Sequence, residues 1–332
     1  MVRKTTFLAL TAFCFAFLYA PVYAAEPKHT FAFTNDSAED TVTQLMTVKM
    51  AELLAAKSGG AFKTEVYGQS QLGSDRELAQ SCQAGDIAFV FQTHAPTVNF
   101  VPELSVLDLP MLFASLEQAR VVLDKFQPVI SGAYEKAGFK ILGFGDQGFR
   151  EMSTNKKIER PADFKGIKIR TMENKYHMAF WRAIGANPTP LPWGEVYLSL
   201  QQGTIDAQEN PLEVIVAAKL YEQQRYIVQT HHIPHTITIL MSKNIYDSLT
   251  PEERKIVDES ARETVLYARE QANQRARNRI DVLKDNNTEI LELTDVVRAE
   301  LVELAKPVYD DIRKGVGGDL VNALLKEIEA AK

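Results

Sequence analysis

Apolar residues alternate between strand spacing and helix spacing along the first half of the chain. The segment HTFAFTN alternates Phe31 and Phe33 with small or polar residues, as a half-buried strand does. From Val42 to Leu54 the apolar positions recur every three or four residues, which predicts a helix that ends at the Gly59-Gly60 pair. The segments FKTEVYG, IAFVF and FKILGFGDQGFR then continue the strands, with helical segments between them. This alternation favours parallel sheets with helices on both faces.

The pattern restarts near residue 161, which indicates a second domain. The segment PADFKGIKIRTMEN contains a short strand, and NKYHMAFWRAIGA predicts a helix that ends at Gly185. The β-branched segment YIVQTHHIPHTITILMSKNIY predicts long strand structure that crosses between the domains. A length of 332 residues with 45% hydrophobic residues is enough for two domains with their own cores.

One long helix is predicted to begin at residue 251. Thr250 and Glu253 form a capping box, and Pro251 suits the first helical turn. Apolar residues then keep helical spacing to Leu283 without Gly or Pro, which predicts a rod of roughly 50 Å. A helix of that length is expected to span both domains, and one or two further helices follow it.

The first 24 residues predict an export signal. Arg3 and Lys4 precede an apolar run from Phe7 to Tyr19, and the small residues before Ala25 predict cleavage after Ala24. The run is short for a membrane span, so an uncleaved anchor is the less favoured alternative. We therefore expect a mature protein in the periplasm, with Cys82 as its single, buried cysteine.

Charge and motifs argue against several classes of function. The net charge is −6 and Lys and Arg do not occur in blocks, so no nucleic acid partner is expected. The motifs G-x-S-x-G, H-E-x-x-H, Walker A and G-x-G-x-x-G do not occur, so we expect no catalytic residues, no cofactor and no enzyme activity. His231 and His235 have a metal-like spacing, but Pro234 and strand-like flanks favour polar side chains at a strand end over a metal site.

Two arginines occupy similar places in the pattern. Arg150 follows the strand-like segment ILGFGDQGF, and Arg170 ends the strand GIKIR. Ligands bind at the carboxyl edge of open parallel sheets, where a guanidinium can hold a carboxylate with two parallel hydrogen bonds. The alternative for each arginine is a surface ion pair, with Asp146 or Glu173 as a possible partner. Two arginines at equivalent positions favour an anionic ligand.

The segment GANPTPLPWGEVYLSLQQGTIDAQENP adds two candidate residues. Trp193 lies between Pro192 and Gly194, so it is either partly buried against its own domain or an apolar wall for a ligand. Asn210 precedes Pro211 and is therefore extended, and its amide serves either a binding site or the turn.

Several segments together resemble a known family. GQSQLGSDREL, LDLPMLF, GFREMSTNKKIERPADFKGIKIRTMEN, the Trp193 segment and THH are similar to the DctP-type solute-binding proteins of TRAP transporters, the tripartite ATP-independent periplasmic transporters. The resemblance implies an α/β, two-lobed periplasmic-binding-protein-like fold with a hinge and a long helix spanning both lobes. We expect the signal peptide at 1–24, lobe I at 25–147 plus 236–275, and lobe II at 148–235 plus 276–332.

The resemblance also assigns the site. It implies that Arg170 is the main carboxylate-binding residue, that Arg150 is a second ligand arginine, that Asn210 helps to hold the carboxylate, and that Trp193 packs on the ligand. The positions at which subfamilies vary their contacts to the rest of the ligand are Asn35, Asp75, Thr93 and Glu173.

The implied function is capture of a small organic anion by lobe closure and its delivery to two membrane subunits. Two arginines suit a sugar acid or uronate with one carboxylate, or a C4-dicarboxylate with two, and the tryptophan would also tolerate a branched or aromatic 2-oxo acid. Alternatives are a receptor that presents its ligand to a sensor kinase and, less favoured, a periplasmic hydrolase. The absence of a coiled-coil pattern favours a monomer.

Overall fold

The computed structural model describes residues 27–332, and the predicted signal peptide lies outside them. The β-strands are β1 His29–Thr34, β2 Phe62–Tyr67, β3 Phe89–Thr93, β4 Phe139–Phe149, β5 Glu151–Thr154, β6 Lys168–Thr171, β7 Asn187–Pro190, β8 Ala207–Asn210, β9 Tyr226–Gln229, β10 Pro234–Ser242 and β11 Glu289–Glu292. The α-helices are α1 Val42–Lys57, α2 Asp75–Ala84, α3 His94–Thr97, α4 Leu116–Lys136, α5 Lys175–Ala183, α6 Val196–Gln201, α7 Leu212–Ala217, α8 Lys243–Ser248, α9 Pro251–Asp285, α10 Asp295–Val316 and α11 Gly318–Ala330.

The strands form two separate sheets, one in each lobe. The first sheet has the order β2-β1-β3-β10-β4, and the second has the order β11-β9-β5-β8-β6-β7. The predicted α/β fold is confirmed, but the expectation of parallel sheets is wrong at two strands. Strand β10 is antiparallel to both its neighbours, and β5 is antiparallel to β8 and β9. The reason is that the chain changes sheets at these strands and returns in the opposite direction.

The chain crosses between the sheets three times: twice directly from strand to strand, at neighbouring places, and once through α8 and α9 to β11. Strand β4 passes into β5 at Arg150, and β9 passes into β10 through residues 230–233. The two direct crossings are hydrogen-bonded, because Arg150 N donates to Ile233 O at 2.8 Å. The long strand expected from Tyr226 onward is therefore interrupted, and His231 at the interruption has a positive φ of 44°. Together the two direct crossings form the hinge region.

Helix α9 spans both lobes, as predicted. It has 35 residues, and its capping box between Thr250 and Glu253 is present. Its contacts include α1 and β4 at the first sheet and α7 and β11 at the second. Close packing on β4 requires a glycine, because a Cβ at Gly143 would lie 2.6 Å from Cγ2 of Val265.

The C-terminal helices connect the lobes on the side away from α9. Helix α10 packs against α5 and against the 3-10 helix Pro102–Asp108, and α11 packs against α4. Because these helices contact helices of both lobes, the residue boundaries of the lobes stay a prediction. Between residues 27 and 332, no helix combines the length and the hydropathy that a membrane crossing requires.

Candidate ligand-binding site

A polar cavity lies between the lobes and opens towards the outer part of the cleft. The first lobe contributes residues from the loop after β1, from α1, from the start of α2, and from β3 and β4. The second lobe contributes residues from β6, from the segment before α6, and from β8 and α7. The lining residues are Asp36, Ser37, Ala38, Thr41, Thr43, Asp75, Thr93, Gln147, Arg170, Met172, Trp193, Asn210, Val214, Ala218 and His235.

Five of the eight predicted site residues line this cavity, namely Asp75, Thr93, Arg170, Trp193 and Asn210. Arg170 lies in β6 and Asn210 is the last residue of β8. These strands are parallel neighbours, so their carboxyl ends bring the two side chains to the same edge of the second sheet.

Arg170 is buried, yet no carboxylate of the described chain is hydrogen-bonded to it. Nε and Nη2 donate to the carbonyl oxygen of Leu191 at 2.9 and 2.6 Å, and Nη1 has no partner among the described residues. The guanidinium carbon lies 5.8 Å from the ring centroid of Trp193, within cation–π range. Burial, and then repulsion from Arg150, lowers the pKa of Arg170 to about 10. The group is therefore positively charged at neutral pH and available to an anion.

Asn210 is oriented by a chain of amides. Its Nδ2 donates to Oε1 of Gln208 at 2.7 Å, and Nε2 of Gln208 donates to Oγ of Ser153 at 2.8 Å. These bonds fix the side chain in the cavity wall.

Arg150 is placed differently from the expectation that it faces a ligand. It is 1% exposed in the hinge region and is not among the residues that line the cavity. Nε and Nη2 donate to the carboxylate of Glu209, and Nη1 contacts Nδ1 of His235. Glu209 and Asn210 are adjacent in β8, so strand alternation points their side chains to opposite faces. Asn210 lines the cavity together with Arg170, whereas Glu209 holds Arg150 away from it.

The ion pair at Arg150 determines the charge of its neighbours. Burial opposes ionisation of Glu209, but the charge of Arg150 and a hydrogen bond from His232 outweigh it, so the pKa of Glu209 lies well below its ordinary value. Burial and then the charge of Arg150 hold the pKa of His235 well below its ordinary value. His235 is therefore neutral where it borders the cavity.

Asn35 and Glu173 also lie outside the inner cavity. Asn35 is fully buried, and its Nδ2 donates to Oε1 of Gln44 at 2.8 Å and to Oγ1 of Thr47 at 3.0 Å. It holds the loop that carries Asp36. Glu173 lies at the cavity mouth, where it accepts a hydrogen bond from Arg76 at 3.0 Å across the two lobes.

Sequence reasoning missed three hydroxyl-bearing residues of the lining and three with acid, amide or imidazole side chains; the latter are Asp36, Gln147 and His235. Asp36 could have been found, since it follows Asn35 just past the end of β1 and neighbouring residues point to opposite sides. For Gln147 and His235 the local pattern contains no such signal, because each lies inside a long strand.

The three histidines of the segment THHIPH bind separate partners. His231 pairs with Glu151 at 3.1 Å, His232 with Glu209 at 3.1 Å, and His235 with Arg150. Within the described part of the chain, no group of three or more His, Cys, Asp or Glu side chains is placed to hold a metal ion. Cys82 is buried, as predicted, and burial raises the pKa of its thiol.

Two sheets joined by three crossings of the chain, with a polar cavity between them, define a two-lobed binding protein. The chain belongs to the DctP family, the bacterial extracellular solute-binding proteins of family 7, whose sequence model matches residues 33–315.

Similar proteins cover nearly the whole chain. A protein of Verminephrobacter eiseniae described as a solute-binding protein is 32% identical over 93% of this chain and 91% of its own length. The 2,3-diketo-L-gulonate-binding periplasmic protein YiaO of Escherichia coli is 30% identical over 88% of this chain and 90% of its own. The crystal structure of the sugar acid binding protein DctPAm of Advenella mimigardefordensis, in complex with galactonate, has a TM-score of 0.89, with 28% identity, and covers 92% of this chain and 99% of that one.

Proposed function

We propose that this protein is the periplasmic solute-binding receptor of a TRAP transporter and that it captures a small organic acid. The observation that carries the proposal is the state of Arg170, a buried guanidinium at a cavity wall with Nη1 unpartnered in the described chain. A buried charge without a hydrogen-bonded counterion is costly, and a ligand carboxylate supplies one through charge-assisted hydrogen bonds. The names of two similar proteins, which bind 2,3-diketogulonate and galactonate, support an acid ligand.

Capture occurs by closure of the lobes. The cavity walls come from both lobes, so a ligand makes all its contacts only when the lobes are together. Two further contacts at the mouth require closure, because Arg76 and Asn99 of the first lobe both bond Glu173 of the second, at 3.0 and 2.9 Å. Ligand binding therefore shifts the population towards the closed form.

The proposed partners are the small and large membrane subunits of the transporter, which accept the ligand from the closed receptor. The receptor acts as a monomer in the periplasm after cleavage behind Ala24. It releases its ligand chemically unchanged, which mass measurement of ligand recovered from the protein would test.

The test is substitution of Arg170 in the mature chain. D-Galactonate, D-erythronate and succinate are screened for a rise in melting temperature, since a ligand of the native state stabilises it. The acids that bind are then measured by calorimetry. We expect Arg170→Ala to abolish binding, and Arg170→Lys to weaken it at least tenfold because the planar fork is lost.

Lys168→Ala is the matched control, because Lys168 lies in the same strand but is exposed and pairs with Asp206 outside the cavity. Its affinity should equal that of the wild type. Near-native affinity of a folded Arg170→Ala variant would refute the assignment of the site.

A further inference from the structure

Two carboxylates share the cavity with Arg170 and come from the opposite lobe. Asp36 lies in the loop after β1, and Asp75 is the first residue of α2. Both also line the outer part of the cleft towards its mouth. The cavity therefore has an acidic wall as well as a basic one.

The charge of the lining allows one ligand carboxylate rather than two. Among the described residues that line the cavity, Arg170 is the single arginine or lysine, whereas Asp36 and Asp75 are both acids. Arg150, the second arginine expected at the site, is paired with Glu209, and the neighbouring His235 is neutral. In the inner cavity a second ligand carboxylate would meet two acids and no further cation, and at the mouth of the cleft Arg76 is already paired with Glu173.

Hydrogen-bonding capacity leads to the same conclusion. Oδ1 of Asp75 is buried without a donor within residues 27–332. Gln147 donates from Nε2 to Oγ1 of Thr43 at 2.9 Å, and in this orientation of the amide its Oε1 is also a buried acceptor without a partner. A buried acceptor that stays unsatisfied is destabilising, because it has lost its hydrogen bonds to water. The acidic wall thus requires donors, which a hydroxyl or ammonium group supplies and a carboxylate does not.

The two acids also interact with each other. Burial raises the pKa of Asp36, and burial followed by repulsion from Asp36 raises that of Asp75 well above its ordinary value. The attraction of Arg170 opposes both shifts without removing them. Raised pKa values favour protonation, so the pair carries less negative charge than two free carboxylates. The case against a second ligand carboxylate therefore rests on the missing second cation and the unpaired acceptors of the wall.

We propose that Asp36 and Asp75 determine specificity, selecting a monocarboxylate whose remaining polar groups are hydrogen-bond donors and excluding dicarboxylates. The inference rests on the proposed function, since it assumes that Arg170 holds a ligand carboxylate. The two arginines of the sequence suit either a sugar acid with one carboxylate or a C4-dicarboxylate with two. The proposal favours the first class.

Matched ligand pairs test the inference by calorimetry on the mature chain. D-Erythronate and succinate have the same number of carbons but differ in a second carboxylate, and so do D-galactonate and galactarate. We expect the monocarboxylate to bind at least tenfold more tightly in a pair that binds. 4-Aminobutyrate, also with four carbons, separates an ammonium donor from the hydroxyl donors of erythronate, and preference for either over succinate supports the inference.

Asp75→Asn and, independently, Asp36→Asn should reduce the preference to less than threefold, because each removes a charge and places an amide donor in the wall. Asp86→Asn makes the same change at an exposed position outside the cavity and should keep the wild-type ratio. Two variants are used so that a folding defect in one leaves the other as a test.

The outcomes distinguish this inference from the proposed function. If succinate or galactarate binds the wild type as tightly as its partner and Arg170→Ala abolishes that binding, the specificity inference is wrong and the receptor assignment stands. An unchanged ratio in folded Asp75→Asn and Asp36→Asn variants overturns it in the same way. If none of the five compounds binds the wild type, or if binding survives Arg170→Ala, both proposals fall.

Discussion

Arg150 and Arg170 occupy equivalent places in the sequence pattern and opposite places in the chemistry of the molecule. Both lie near the end of a strand and both are buried, at 1% and 3% exposure. Arg150 is hydrogen-bonded to the carboxylate of Glu209, whereas Arg170 is hydrogen-bonded only to a backbone carbonyl. Burial alone therefore does not identify a ligand-binding cation. The distinguishing feature is that no carboxylate of the described residues is hydrogen-bonded to the guanidinium.

The largest effect should follow from breaking the pair at the hinge. Arg150→Ala leaves Glu209 as a buried charge without its main partner, and we expect it to lower the free energy of unfolding by about 3–5 kcal/mol. Arg170→Ala breaks no hydrogen bond to a carboxylate, so it should lower the free energy of unfolding much less. Urea denaturation of the ligand-free proteins measures both.

A double variant provides the control for that comparison. Arg150→Met with Glu209→Leu removes both charges and should be more stable than Arg150→Ala alone, because no unpaired charge remains. If Arg150→Ala and Arg170→Ala destabilise the protein equally, the contrast between the two arginines is wrong.

An effect of intermediate size should be the pH dependence of stability, which we expect to come from the histidines of the hinge region. His235 and His232 have a lowered pKa in the folded protein, so in the unfolded chain they protonate first, below about pH 6.5. The unfolded state then binds more protons, and stability falls as the pH drops from about 7 to 5, by at most about 1.4 kcal/mol per pH unit for each histidine. His235→Gln should flatten the melting temperature between pH 5 and 7. Greater wild-type stability at pH 5 than at pH 7 would contradict this.

The smallest effect should come from the tryptophan in the cavity, with a second tryptophan outside it as the control. Trp193 lies beside Arg170 in the cavity, whereas Trp181 is fully buried with its ring centroid 5.2 Å from that of His232. Trp193→Phe should remove most of the fluorescence change on titration with D-galactonate and weaken binding by a few-fold, about 0.5–1 kcal/mol. Trp181→Phe should preserve the change. A signal that disappears with Trp181 instead would place the ligand elsewhere.

Local features of the fold were predictable because their causes are a few residues apart. The capping box Thr250–Glu253 acts within one turn, and helix α9 begins where the sequence predicts. The insertion of β10 between β3 and β4 was not predictable, because it depends on pairing across about 90 to 150 residues.

The site residues also divide into those that local sequence predicts and those that depend on distant pairing. The edge position of Arg170 follows from its strand, so the residue could be selected from the sequence. The different role of Arg150 depends on Glu209, which is 59 residues away and joins it only through the pairing of β5 with β8. The acidic wall likewise depends on bringing the loop after β1 next to the start of α2.

The central position of β10 also has a consequence for the order of synthesis. Until residue 242 exists, β4 has no link to β3, and the first sheet is incomplete even though most of its strands have been made. The whole series β5 to β9 is translated before that gap is filled. Early folding of the N-terminal portion is therefore disfavoured, since its sheet can close only through a late, long-range pairing. In the export proposed above, where the chain crosses a membrane before it folds, this delay would keep the polypeptide in a translocatable form.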